Sequence, residues 1–126
     1  MSSARKFRHL TVECIEYLKE YNDAYIGFLY DPPIDQRWDR WHCAAYDEPG
    51  FLCVEEDYFG ILKECKNKDI NTLDILMVRG CITALLRKMR YGSVKKDTLI
   101  RLLERWLELV GQKERAVDEK GETDTE

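Results

Sequence analysis

The chain has 126 residues, 44% hydrophobic and 35% charged, with three Pro and seven Gly, which excludes collagen-like, low-complexity and wholly disordered classes. No apolar run approaches the roughly eighteen residues of a membrane span, and Arg5, Lys6, Arg8 and His9 lead into no apolar leader, so a cytosolic protein without membrane attachment is expected. The formal net charge of −4 is modest, but it is the sum of strongly opposed segments.

The first helix is expected from about Leu10 to Tyr21, where Leu10, Cys14, Tyr17, Leu18 and Tyr21 recur at the spacing of one helical face. Asn22 and Asp23 stop it, and Ala24 to Tyr30 reads as a strand. Asp31-Pro32-Pro33 is a breaker, because proline lacks an amide donor and constrains its predecessor. Asp35 then caps a short helix from about Gln36 to Ala45, and Trp38 and Trp41 lie three residues apart on one side of it. Phe51 to Val54 reads as a second short strand and Glu55 to Cys65 as a helix with acids in its first turn, before the basic and polar loop Lys66 to Ile70. The apolar stretch from Leu73 to Arg90 points to a central buried helix, started by Asn71 to Asp74, with Arg79, Thr83, Arg87 and Arg90 on a narrow polar stripe. Gly92 is placed to end it in a left-handed conformation. The last helix starts at Ser93 or Asp97, buries Leu99, Leu102, Leu103, Trp106 and Val110, and ends near Gly111. Only Ala116 and Val117 are apolar after Gln112, so a disordered acidic tail is expected from 112 to 126.

Five cysteines, Cys14, Cys43, Cys53, Cys65 and Cys81, form no C-x-x-C pair, so a disulfide framework is not expected and packing roles are. Residues 1–12 carry three bases and no acid, 13–74 six bases and fifteen acids, and 75–107 eight bases and two acids. If these segments fold onto different faces, the molecule has an acidic and a basic side, which bears on its partners.

Two surfaces follow. In the acidic half, Asp35, Asp39, Tyr46, Asp47 and Glu48 surround Trp38 and Trp41, side chains that either pack the core or anchor a protein interface that attracts a basic partner. In the basic half, Arg79, Arg87, Lys88, Arg90, Lys95, Lys96, Arg101 and Arg105 cluster around one helix, turn and helix, either as an ordinary solvated or internally paired face or as a nucleic-acid footprint, for which Arg79, Arg87, Arg90, Lys95, Lys96 and Arg101 are the candidates although Glu104 and Glu108 interrupt it.

Catalytic chemistry is poorly supported. His42, Cys43, Cys53 and Cys65 lack the short paired spacing of a zinc site. His42 and Cys43 are neighbours and do not face each other on a helix, even with Asp35 or Asp39 as an orienting acid. Glu55, Glu56 and Asp57 carry no distinguishing context, and neither G-x-x-x-x-G-K-[ST] nor G-x-G-x-x-G is present.

Cys81-Ile82-Thr83-Ala84-Leu85-Leu86-Arg87-Lys88-Met89-Arg90-Tyr91-Gly92, followed by Leu102 to Leu107, resembles the closing block of a family of short bacterial, archaeal and phage-borne proteins classed as a domain of unknown function. The resemblance implies a mainly helical fold and a microbial or phage origin, with Arg87 and Arg90 as the matched residues.

The sequence thus predicts a mainly α single domain over 1–111, of four to five helices around the helix from Leu73 to Arg90, with room for a minor two-stranded element from AYIGFLY and GFLCV. The expected function is that of a non-enzymatic interaction module in the cytoplasm of a bacterial cell or phage-infected host, a regulator or inhibitor docking a protein through Trp38, Trp41 and the adjacent acids. Nucleic-acid binding by the basic helix pair is the alternative, and a small metal-dependent or hydrolytic enzyme a third. No cofactor or metal is expected, and a homodimer is left open.

Overall fold

The apolar spacing that marks the first helix extends toward the N-terminus through Phe7, and α1 spans Ser3–Glu20 in the computed structural model, which describes residues 3–29, 33–52 and 58–121 without the side chains at 3, 58, 59, 62, 65 and 113–121. Five α-helices follow one another among these residues, so the chain is mainly helical as expected. Asp35 begins α2 (Gln36–Asp47) by accepting the Arg37 amide at 2.7 Å, and Asp74 begins α4 (Ile75–Lys88) by accepting the Met77 amide at 2.8 Å, each satisfying an orphan donor of a first turn. Between them, α3 (Tyr58–Asn67) and a single 3-10 turn (Ile70–Thr72) make the connection. In space α2 packs on α1, α1 on α5 (Lys96–Gly121), α5 on α4 and α4 on α3.

Helix α4 holds the centre. Val78, Cys81, Ile82, Ala84 and Leu86 are all buried, and Leu99, Leu102, Leu103 and Trp106 of α5 meet them as the periodicity predicts. A second group of rings sits where α1, α2 and α5 meet. Phe7 lies 4.6 Å from Phe51 and 5.4 Å from Trp106, centroid to centroid, and Phe51 lies 5.1 Å from Trp106, all at the steep angles that align ring edges with ring faces. Gly50 delivers Phe51 to this cluster with φ 76, a left-handed conformation that glycine adopts without steric cost.

Several expectations are corrected. The two-stranded element exists, but β1 (Tyr25–Ile26) pairs antiparallel with β2 (Val94–Lys95), not with GFLCV. Phe51 and Leu52 are in a turn, whereas Cys53 and Val54, like Tyr30, Asp31, Pro32 and Glu55 to Asp57, lie outside the described residues. A side chain at Gly27 would meet the Gly92 carbonyl oxygen at 2.3 Å, so glycine there allows the two strand segments to approach. Gly92 does not take a positive φ; α4 ends at Lys88, capped by Met89. Helix α5 passes through Gly111 to Gly121, because one glycine costs a helix only about 1 kcal/mol and residues 112–116 are good helix formers by type. Cys81 is disulfide-bonded, against the expectation of packing thiols, while Cys14 and Cys43 are free. Burial pushes the Cys14 thiol well above its ordinary range, so it behaves as a small hydrophobe.

Thr11 is the one buried polar residue among the described side chains. Its hydroxyl donates to the Phe7 carbonyl at 2.8 Å and accepts from Trp41 Nε1 at 3.1 Å. Thr11→Val leaves the indole donor unpaired and is expected to cost about 1–3 kcal/mol, or roughly 4–12 °C in Tm. In a double-mutant cycle with Trp41→Phe read by denaturant unfolding, the second substitution is expected to cost less once the first is present. Strictly additive losses contradict the assignment.

Candidate functional site

The sequence-predicted docking surface lacks its anchors. Trp38 is 2% exposed and Trp41 fully buried, because α2 turns that side onto α1. Of the acids around them, Asp35 is engaged locally: besides capping α2, it accepts Arg37 Nε at 3.0 Å, and the same guanidinium reaches Glu20 at 2.9 and 3.1 Å. The Arg37 guanidinium thereby holds both carboxyls below their ordinary range. Asp39 and Asp47 are exposed on α2, and Glu48 is the half-buried C-cap residue, its amide donating to the Ala44 carbonyl at 2.8 Å. Tyr46 is half exposed and its hydroxyl accepts from Arg90 at 3.2 Å.

His42 stands in a column of rings rather than in a catalytic pair. It stacks on Trp38 at 5.4 Å, with Phe28 at 5.3 Å and Tyr46 at 5.1 Å as edge neighbours, while Cys43 is exposed on the adjacent position. Its Nε2 is buried without a hydrogen-bond partner among the described residues. Burial lowers its pKa and the Arg90 charge lowers it further, with Asp39 opposing. Among the described residues no group of three or more His, Cys, Asp or Glu side chains could hold a metal.

The basic helix pair is dispersed as well. Arg79 donates to the Phe51 carbonyl at 3.1 Å and Lys96 donates to the Tyr21 carbonyl, so both serve as internal ties. Arg90 turns to Tyr46, Arg87 is exposed with an interaction of its own, and Arg101 lies 3.9 Å from Asp69. Of the basic residues that the sequence groups here, Lys88 and Lys95 face the cleft that the fold does build.

That cleft, about 820 Å³, opens between α3, the C-terminal end of α4, β2 and the start of α5. Five lysines line it: Lys63 and Lys66 from α3, Lys68 just after it, Lys88 from the last turn of α4, and Lys95 from β2. Lys63 and Lys66 are three residues apart and so share one side of α3. Lys95 is paired directly across the ribbon with Tyr25, which puts both side chains on the same face. Ile70, Leu85, Val94 and Leu102 form the floor, and Ser93 and Thr98 add hydroxyls where α5 begins. Among the described residues no carboxylate lines the cleft. Lys68 pairs with Glu64 at 3.1 Å, but Lys63, Lys66, Lys88 and Lys95 make no ion pair with any described residue.

The sequence groups Lys88 and Lys95 with the basic helix pair but hides Lys63, Lys66 and Lys68, which belong to the segment with fifteen acids, whose sum conceals them. The K-x-x-K-x-K spacing from Lys63 to Lys68 was the signal available.

No family model matches the chain, and no curated protein or solved structure matches it either. No helix among the described residues is long and apolar enough to cross a membrane.

The His42 environment makes a pH dependence testable. A depressed folded-state pKa means that its contribution is fully present above the ordinary value of 6.5 and is lost as pH falls below that value toward the folded one. Chemical denaturation across this range is expected to show wild-type stability declining with acidification more steeply than that of His42→Phe. Parallel profiles contradict a half-buried, neutral His42.

Proposed function

We propose that this protein is a non-enzymatic binding module whose ligand is a phosphate-bearing anion held in the lysine cleft. The observation that carries the reading is the convergence of four lysines without carboxylate partners, from two helices and a strand, on one concavity without an acid among its described residues. Like charges gathered without counter-charge repel one another, and an anion seated among them removes that repulsion while gaining charge-assisted hydrogen bonds from each ammonium. The volume lies within the range of small-molecule sites, about 300–1,000 Å³, and the cleft is concave, whereas a DNA duplex is gripped by an element entering a groove.

The site is built for binding rather than reaction. His42 is enclosed in the α2 ring column and does not line the cleft, nor does Cys43. Lysines hold phosphate here as point charges on flexible stems, an arrangement that supplies affinity without fixing a reacting geometry. A protein partner remains compatible with this reading where it presents phosphate groups, and the cleft then takes the place of the acidic aromatic face as the docking surface.

Calorimetric titration with inorganic triphosphate at low and at physiological ionic strength tests the proposal. Wild type is expected to bind, more weakly as salt rises. The double substitution Lys66→Gln with Lys95→Gln is expected to lose about 2 kcal/mol, roughly thirtyfold, at about 1 kcal/mol for each ammonium. Lys6→Gln, on the exposed side of α1, changes charge away from the cleft and is expected to bind within about twofold of wild type. Absence of binding at low salt, or equal losses from Lys6→Gln and the cleft variants, contradicts it.

A further inference from the structure

We infer that the ligand of the lysine cleft is a nucleoside di- or triphosphate, its phosphates among the lysines and its base over Tyr25; this rests on the reading of the cleft as an anion site. The ammonium groups account for only part of the lining. Ile70, Leu85 and Val94 supply an apolar floor, and Tyr25 contributes a ring that is 49% exposed, the kind of surface a bare inorganic anion leaves in water. A purely apolar ligand leaves the lysines unpaired. A planar ring joined to two or three phosphates satisfies both halves of the site, because each base has a face that stacks on an aromatic side chain whatever its edge pattern.

The placement of Tyr25 gives this its geometry. The register sets Tyr25 opposite Lys95, so a stacked ring and a bound phosphate lie side by side on one face of the ribbon. Ser93 and Thr98 flank the same edge, offering hydroxyls to a sugar. The chain lacks the glycine-rich loops that cradle phosphates with backbone amides, so side-chain charge must do the holding. Two consequences follow. Selectivity among bases is weak, since stacking reads the ring face and not its edge. Magnesium weakens binding, because the described lining offers no carboxylate to share the metal, and a metal-bound polyphosphate presents less charge to the lysines.

Titration of the full chain with ATP, inorganic triphosphate and adenosine, each without magnesium, tests the inference. ATP is expected to bind at least tenfold more tightly than triphosphate, and adenosine hardly at all. Tyr25→Ala is expected to bring ATP down to the affinity of triphosphate while leaving triphosphate unchanged, and Tyr25→Phe, which keeps the ring, to retain the difference. Added magnesium is expected to weaken ATP binding. Equal affinity for ATP and triphosphate overturns the inference and leaves the anion site standing, whereas binding of neither removes both. A single-stranded oligonucleotide that displaces ATP at lower concentration also overturns it, in favour of an extended nucleic acid.

Discussion

A two-residue antiparallel pairing holds this fold in register. Tyr25 and Ile26 lie against Lys95 and Val94, the Lys96 amide donates to the Ala24 carbonyl at 2.9 Å, and the Phe28 amide donates to the Met89 carbonyl at 2.9 Å. These bonds strap the exit of α1 across the connection between α4 and α5. The absence of a side chain at Gly27 permits the approach, and burial of Ile26 and Val94 on the inner face stabilises it. The outer face of the same pairing carries Tyr25 and Lys95. The element that closes the core therefore also builds one wall of the cleft.

The remaining interactions divide by environment. Thr11 is satisfied between Phe7 and Trp41, whereas His42 Nε2 has no hydrogen-bond partner among the described residues, and the rings around Phe51 supply directional packing. Most ion pairs are exposed, Lys19 with Glu104 at 2.9 Å among them, and such pairs are worth little. Arg79 and Arg105 donate to the carbonyls of Phe51 and Leu73, where loops meet helices, and Arg105 also pairs with Glu108 at 2.6 Å. Against this background Lys63, Lys66, Lys88 and Lys95 stand out, since their charges are balanced neither by acids nor by carbonyls of the described residues, whereas Lys68 pairs with Glu64. An anion that binds the folded cleft and not the unfolded chain adds to stability by mass action.

Much of the fold was legible because it follows local rules. The Asp35 cap, the inward face Leu99, Leu102, Leu103 and Trp106, and the central helix after Asp74 are each dictated by spacing or by an orphan amide. The strand partner was not legible, because Val94 and Lys95 are two residues whose pairing is set by the packing of α1 against α5, while Phe51 and Leu52 merely look strand-like. Gly111 does not stop α5, since one glycine among good helix formers costs too little to end a helix. The site was hidden for a related reason. Charge summed along the sequence assigns Lys63, Lys66 and Lys68 to an acidic segment, but the α3–α4 packing carries them to Lys88 and Lys95. Composition likewise cannot tell an anchoring tryptophan from a core one, and Trp38 and Trp41 belong to the core.

The cleft binds an anion only if lysines distant in sequence act as one site. Chemical-shift mapping by NMR while inorganic triphosphate is added tests this most directly. The account predicts that amide and lysine side-chain shifts move together, with one saturation curve, at Tyr25, Lys63, Lys66, Lys88, Ser93, Lys95 and Thr98, and stay fixed along α2. Small shifts spread over all surface lysines without saturation, or a cluster centred on Arg37 and Arg40, would contradict it.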